Sequence, residues 1–387
     1  MSGWPMVKLG EICTINPRRD KSVDYRTEIS FIEMKSLLEN GSVYPTITHA
    51  EKYLKGYTPF KHRDILVAKI TPCFQNGKIG IANLATEFGF GTTEFHILRT
   101  KEDLLPEYLT AFLRQRHVLL AGEKQMTGSG GQRRVPKAFL EQLNIPLPSL
   151  GEQKRIAEIL GNIQNAIELT SLQLDDISSS MKIESWTLTR DSPQTQLSHY
   201  IKKITSGKSL KEGNWENFQN CILKISAVTT GFFDDSEIKP LPESYTPQAS
   251  HKVNTGDILL SRANTTELVG ASAIVENATN NLYLPDKLWK LHIKDDVDTY
   301  FFWHLLQTKP VRSSISKASS GSGGSMKNIS QKSFLNITVP KISREVQNQI
   351  GKNIRLQHIL RSLLIKKLNL LQELQRSLSV RAFAGEL

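Results

Sequence analysis

Four short stretches carry side chains of the types that do chemistry, and each lacks the partner its chemistry needs. Ser206-Gly207-Lys208-Ser209 ends like a phosphate-binding loop, yet Lys202 stands five residues before Gly207 where the first glycine belongs, so no cradle of backbone amides can form. Asn16-Pro17-Arg18-Arg19 begins like the Asn-Pro-Pro-aromatic strand end with which amino-methyltransferases hold a target base. The second proline and the aromatic are missing, and no glycine-rich cofactor loop precedes it. Thr127 and Ser320 take the first glycine position of the Gly-Ser-Gly-Gly runs at 128–131 and 321–324, which removes the frame of a nucleophile elbow. Glu33-Met34-Lys35 has the acid-x-lysine shape of some nuclease sites, with nothing specific to complete it. The nine histidines lack metal-ligand spacing, and Cys13, Cys73 and Cys221 stand far apart with no C-x-x-C pair. The expectation is reduced, structural thiols and a chain with no catalysis, metal or cofactor of its own.

What remains is charge and size. With 49 Lys+Arg against 38 Asp+Glu, the net charge of +11 favours a polyanionic partner such as nucleic acid. The chain has 387 residues, more than one hydrophobic core usually organises, so two domains are expected. Hydrophobic residues at 39% and charged residues at 22% suit a soluble globular protein and exclude a disordered or fibrous one. No apolar run approaches the roughly 20 residues that span a bilayer. The start, MSGWPMVKLG, lacks a charged region followed by an apolar core, so a cytoplasmic protein without membrane contact is expected.

The elements that carry these residues occur twice. Asp64-Ile65-Leu66 with Lys69 recurs as Asp257-Ile258-Leu259 with Arg262, an offset of 193, and the Gly-Ser-Gly-Gly run recurs at the same offset. Beyond that loop the offset is 194: Val135 matches Ile329, Leu140 matches Phe334, Pro146 matches Pro340, Gln153 matches Gln347 and Ile156 matches Ile350. Ordered matches at nearly constant offset imply duplication, and two similar surfaces suit a two-fold or bipartite partner. Within each copy, β-type runs are expected at Ile65 to Ile70, Ile79 to Leu84 and Glu94 to Arg99, and at Ile258 to Arg262, Ala271 to Val275 and Leu288 to Ile293. A helical stretch follows near Pro106 to Leu120 and Thr299 to Thr308, then a short apolar segment closed by proline. Each copy reads as an α+β globule, over 1–148 and 188–341.

Two long helices follow the globules, over 149–187 and 342–387. The first carries Ile156, Leu160, Ile163, Ile167, Leu174, Ile177 and Met181, steps of four and three with one polar interruption at Thr170. Ser149 with Glu152 three residues on has the form of a capping box. The second carries Val346, Ile350, Ile354, Leu360, Leu364, Leu368, Leu371, Leu374 and Leu378. Neither stripe can bury itself alone, so an antiparallel pair of the coiled-coil kind is expected. Residues 149–187 hold three basic side chains against six acidic, while 341–387 hold nine basic against three acidic, and opposite signs favour pairing of the two over self-pairing.

These motifs carry a resemblance. The run Pro146-Leu147-Pro148-Ser149-Leu150-Gly151-Glu152-Gln153-Lys154-Arg155-Ile156-Ala157 resembles the start of the central helix of type I restriction-modification specificity subunits. Leu374-Gln375-Arg376-Ser377-Leu378 and Arg381-Ala382-Phe383-Ala384-Gly385-Glu386-Leu387 resemble that family's ending, and Asp64 to Lys78 is similar to one class of its target-recognition domains. The second copy departs from the pattern, with Pro340-Lys341-Ile342-Ser343-Arg344-Glu345-Val346-Gln347 at its helix start. The resemblance implies two α/β target-recognition domains separated by two antiparallel helices, each reading one half of a split double-stranded DNA sequence. It implies two methyltransferase subunits docked on the helices, which bring S-adenosylmethionine, and restriction/translocase subunits that bring ATP and Mg.

Reading base edges from such domains takes Arg, Lys, Asn or Gln on loops over a rigid sheet. The candidates are Lys69, Gln75, Asn76 and Lys78 in the first copy and Lys208, Arg262 and Asn264 in the second. Arg133, Arg134 and Lys137, with Lys327 in the other copy, follow the glycine-rich loops and are candidates for phosphate. Two other readings stand beside this one: a solitary DNA-binding repressor or architectural protein, and an enzyme with an unrecognised site.

Overall fold

The computed structural model describes residues 3–24, 26–129, 131–189, 192–216, 218–278, 281–321 and 326–387, without the side chains of 182–189. Position 130 and positions 322–324 of the duplicated glycine loops, and the Lys182 and Glu184 side chains, lie outside the described residues. The chain forms two units, Met1–Thr170 with Lys367–Leu387 and Ser171–Lys366.

Each unit is built on a four-stranded sheet of the same order. In unit 1 it runs Cys13–Ile15, Phe95–Thr100, Ile65–Ala68, Ile79–Ile81, and in unit 2 Ile201–Ser206, Leu288–Ile293, Ile258–Ser261, Ser272–Ile274. The registers repeat as well, with Ile65 opposite Leu98 and Ile258 opposite Leu291, and Leu66 opposite Gly80 and Leu259 opposite Ala273. The third strand is buried on both faces, which is why its sequence is a continuous apolar run. Ile65 and Val67 point into the core with Tyr108, Leu109 and Phe112, while Leu66 and Ala68 meet Ile32, Leu37 and Phe60. Unit 2 divides the same way, Ile258 and Leu260 toward Phe301 and Phe302, Leu259 toward Leu223 and Val253.

A second sheet in each unit was not expected. In unit 1 it orders Thr46–His49, Glu28–Ile32, Phe88–Gly91, Thr58–Lys61, and in unit 2 Ile238–Pro240, Cys221–Leu223, Leu282–Tyr283. It contains one parallel pair in each unit, Ile29 beside Phe88 and Cys221 beside Leu282. The paired segments lie far apart in sequence, so no local turn announces them.

The helical stretch expected near Pro106 to Leu120 is two helices, Pro106–Leu113 and Arg116–Lys124, broken at Gln115, whose backbone is extended. Unit 2 repeats the pair as Thr299–Gln307 and Lys309–Ala318. Pro310 looks like a breaker in the sequence but sits in the first turn of the latter, where its missing N–H costs nothing.

The long helices run Leu150–Thr189 and Arg344–Ala384. In unit 1, Ile156 and Leu160 share a core with Leu378, Ala382 and Phe383. Gln375 donates to Gln164 at 2.8 Å, and Arg155 donates to the Leu387 carbonyl at 3.1 Å, so the two strips run antiparallel. The interruption at Thr170 is fully buried, and its hydroxyl donates to the Ala166 carbonyl at 2.7 Å in its own helix. In unit 2, Met181, Ile350 and Ile354 join the core of that unit.

Two expectations about the helices are corrected. Val346, Leu360 and Leu374 are exposed, whereas Gln347 and His358 are buried beside the expected Ile354 and Leu364, because the buried face also passes through polar residues that a search for leucines passes over. Ser149 accepts the Glu152 N–H at 3.4 Å, but the Glu152 carboxylate turns to Arg155 at 2.6 and 2.8 Å, so only half of the capping box is used. Among the described residues no ion pair crosses between the two helices, because the flanking charges point outward. The cysteines are free, and burial pushes the Cys13 thiol up to about 12, which keeps it protonated and inert.

Candidate nucleic-acid interface

The candidate side chains stand where the first sheet of each unit ends. In unit 1, the strand Ile65–Ala68 leads into Lys69, whose N–H donates to the Glu94 carbonyl and whose carbonyl accepts the Val135 N–H, both at 2.9 Å. The Thr71 N–H donates to the Arg133 carbonyl at 2.9 Å, and Arg134 exchanges two backbone bonds with Thr127 at 3.0 and 2.8 Å. Segment 69–71 is thereby held between Glu94 and 133–135, which brings Lys69, Arg133 and Arg134 together from positions more than sixty residues apart in the sequence.

Unit 2 repeats this ladder almost bond for bond. The Arg262 N–H donates to the Lys287 carbonyl and its carbonyl accepts the Ile329 N–H, both at 3.0 Å. Asn264 is opposite Lys327, and Asn328 exchanges two backbone bonds with Ser320 at 2.8 and 2.9 Å. Lys208 joins from the edge strand: its backbone bridges Pro285, while Asp286 beside it accepts Arg262 Nε at 2.7 Å.

The side chains differ in what holds them. Arg134 is spent on Glu94 through two bonds of 2.9 Å, and this pairing holds the Glu94 carboxyl below the usual carboxylate range. Arg133 donates to the Glu123 carbonyl at 2.9 Å, and Lys137 pairs with Glu141 one turn on at 2.7 Å. Gln75 folds onto the Thr71 hydroxyl, Asn76 donates to Glu39 at 2.7 Å, and Lys78 reaches the Met34 carbonyl at 3.4 Å, so these three pin the 71–78 loop to its own unit. Asn264 bonds Ser261 and the Thr265 N–H, and Lys327 reaches the Ser316 carbonyl at 3.4 Å. Lys69 and Lys208 carry no carboxylate partner among the described residues.

Sequence reasoning missed Lys287. It is the counterpart of Glu94, one offset of 193 away, and it adds a cation in unit 2 where unit 1 has the carboxylate that occupies Arg134. The duplication contained the signal, since every ladder residue of one copy names a position in the other. Among the described residues no three His, Cys, Asp or Glu side chains converge as a metal would need, and no helix is long and apolar enough to cross a membrane.

The profile of the type I restriction modification DNA specificity domain matches residues 1–178. The EcoEI specificity subunit of Escherichia coli is 27% identical over 438 positions, which cover 86% of this chain and 74% of that protein. The EcoAI specificity subunit of the same species is 45% identical over 158 residues, 40% of this chain and 27% of that one. The EcoKI specificity subunit is 26% identical over 280 residues, so the match spans 65% of this chain and 60% of its relative. The chain is similar to type I restriction enzyme specificity subunits, and its first 178 residues match the DNA specificity domain of that family. Among solved structures, this chain resembles the type I S subunit from M. genitalium, with a TM-score of 0.62 at 15% identity over 98% of this chain and 96% of that one. A chain from a type I system studied for its complex assembly and conformational transition matches with a TM-score of 0.52 at 17% identity, over 100% and 99% of the two chains. At these identities the likeness is one of fold, and this chain shares that fold along nearly its whole length.

Proposed function

We propose that this chain, as a specificity subunit, reads a split DNA target, one half-sequence per unit, while methylation and cleavage are done by other subunits. The observation that carries the reading is the duplicated basic ladder, Lys69 with Arg133 and Arg134 in one unit and Arg262 with Lys287 and Lys327 in the other. A surface presented twice in the same backbone setting fits a ligand whose features also occur twice. Lys69, Lys208, Arg262, Lys287 and Lys327 reach base edges or phosphates, while Gln75, Asn76, Lys78, Asn264 and Arg134 hold the loops from which they reach.

The helices seat two methyltransferase subunits. Supporting this are leucines that the seam leaves exposed: Leu356, Leu360 and Leu363 in unit 2, Leu370 and Leu374 in unit 1. An apolar stripe of that kind suits a protein partner better than water. S-adenosylmethionine then belongs to the methyltransferases, ATP and Mg to the restriction/translocase subunits, and this chain contributes no reacting group.

Co-purification with the methyltransferase encoded beside it tests the reading. The expected result is a complex with two methyltransferases that binds duplex DNA and loses affinity steeply between about 50 and 200 mM salt, as phosphate neutralisation demands. Tight DNA binding by the lone chain with no partner captured would favour a repressor, and methyl transfer by the purified chain alone would overturn the division of labour.

A further inference from the structure

Gln153 and Gln347 are matched residues of the duplication, each in the first turn of a long helix, and they are 0% and 4% exposed. A primary amide in such a place is costly unless its donors and acceptor are met. In unit 1, Gln153 Oε1 accepts the Leu105 N–H at 2.9 Å, and Nε2 donates to the Asp103 carbonyl at 2.8 Å and the Pro148 carbonyl at 3.0 Å. In unit 2, Gln347 Oε1 accepts the Asp298 N–H at 3.2 Å and Nε2 donates to the Ile342 carbonyl at 2.9 Å. Leu105 and Asp298 are the N-cap residues of Pro106–Leu113 and Thr299–Gln307. One side chain in each unit therefore ties together the segment leading into the long helix, the helix itself and the start of the unit's own first helix of the pair.

The surroundings reinforce the tie. Tyr108 in unit 1 donates to the Pro146 carbonyl and Tyr200 in unit 2 donates to the Pro340 carbonyl, both at 2.7 Å. These carbonyls match in the duplication but the tyrosines do not, so the same bond is made from two different places in the chain. A side chain at Gly351, one turn past Gln347, would overlap the Asp298 carboxylate, so the helix lies as close to the unit as backbone allows. All the glutamine bonds go to backbone, which fixes an angle whatever the neighbouring side chains are.

We propose that Gln153 and Gln347 are positioning residues that fix the angle at which each long helix leaves its unit, and thereby the spacer between the two half-sequences. The inference rests on the split-target reading above. Its leverage is geometric: in a helix of 40 residues, roughly 60 Å long, a tilt of about 3° at the root moves the far end about 3 Å. That is close to the roughly 3.4 Å rise of one nucleotide step.

The test is methylome sequencing of cells carrying the full complex with Gln153→Met or Gln347→Met, which fill the same space without the bonds. Both half-sequences should stay the same, while use of sites with spacers one base pair longer or shorter rises about tenfold, a change of roughly 1.4 kcal/mol in discrimination. Val67→Ala, a core change in unit 1 away from the amide, should lower stability and keep a single spacer. If the methionine variants do not assemble, Gln153→Glu and Gln347→Glu, which keep the acceptor and lose the donor bonds, are read in the same way. A single unchanged spacer in assembled variants, or equal broadening in Val67→Ala, would overturn the proposal. A wild-type methylome without a fixed two-part target would instead overturn the reading beneath it.

Discussion

At the scale of single residues, two cations in the same ladder should behave differently. Lys69 has no carboxylate partner among the described residues, so Lys69→Ala should weaken DNA binding and reduce the salt slope by about one phosphate contact without altering the fold. Arg134 is engaged by Glu94 in a bidentate pair, so Arg134→Ala should lower stability slightly and leave the slope nearly unchanged. Binding titrations at several salt concentrations separate the two, and the opposite pattern would reverse their roles. His304 gives a pH test. Burial pulls its pKa from 6.5 to about 4, so the folded state favours the neutral ring. The stability this confers is full above pH 6.5 and is lost as pH falls through about 4, at most about 3 kcal/mol. His304→Leu should flatten that loss, and equal pH dependence of thermal unfolding in both proteins would refute it.

At the scale of elements, the seam between the long helices tolerates some changes and not others. Thr170 satisfies its hydroxyl within its own helix, so Thr170→Val should shift stability by no more than about 1 kcal/mol. Leu160→Ala removes packing against the unit 1 core and should cost about 2 to 4 kcal/mol in denaturant unfolding. On the outward side, Lys366 and Lys367 are exposed, and among the described residues no cross-helix ion pair uses them. Lys366→Glu with Lys367→Glu should therefore spare the fold and weaken assembly with the methyltransferase; unchanged assembly at moderate salt would remove the basic strip from that contact.

At the scale of the whole molecule, half-sequence and spacer should be separable. One heptad inserted in each long helix adds roughly 10 Å and should lengthen the preferred spacer by about three base pairs with both half-sequences kept. Exchanging residues 1–148 for those of another specificity subunit should change one half-sequence and keep the spacer. Methylome sequencing reads both outcomes, and a changed half-sequence after the insertion would count against separate readers and ruler.

The sequence by itself determined the duplication, the first sheet's second, third and fourth strands in each unit, and the two long helices. Those features are local or repeated: Ile65–Ala68 is an apolar run, Leu288–Ile293 is the neighbour of its counterpart in the duplicated pattern, and the helices lack internal proline over about forty residues. Tertiary structure alone decided the rest. It paired Glu28–Ile32 in parallel with Phe88–Gly91 across a long stretch of chain, which no nearest-neighbour pattern encodes. It buried Gln347 and His358 where the apolar pattern pointed to Val346 and Leu360: Gln347 accepts the Asp298 N–H of its own unit, and His358 lies 3.0 Å from the Glu276 carboxylate. It also separated the engaged Arg134 from the unengaged Lys69, since composition counts cations while only geometry shows which of them already has a carboxylate.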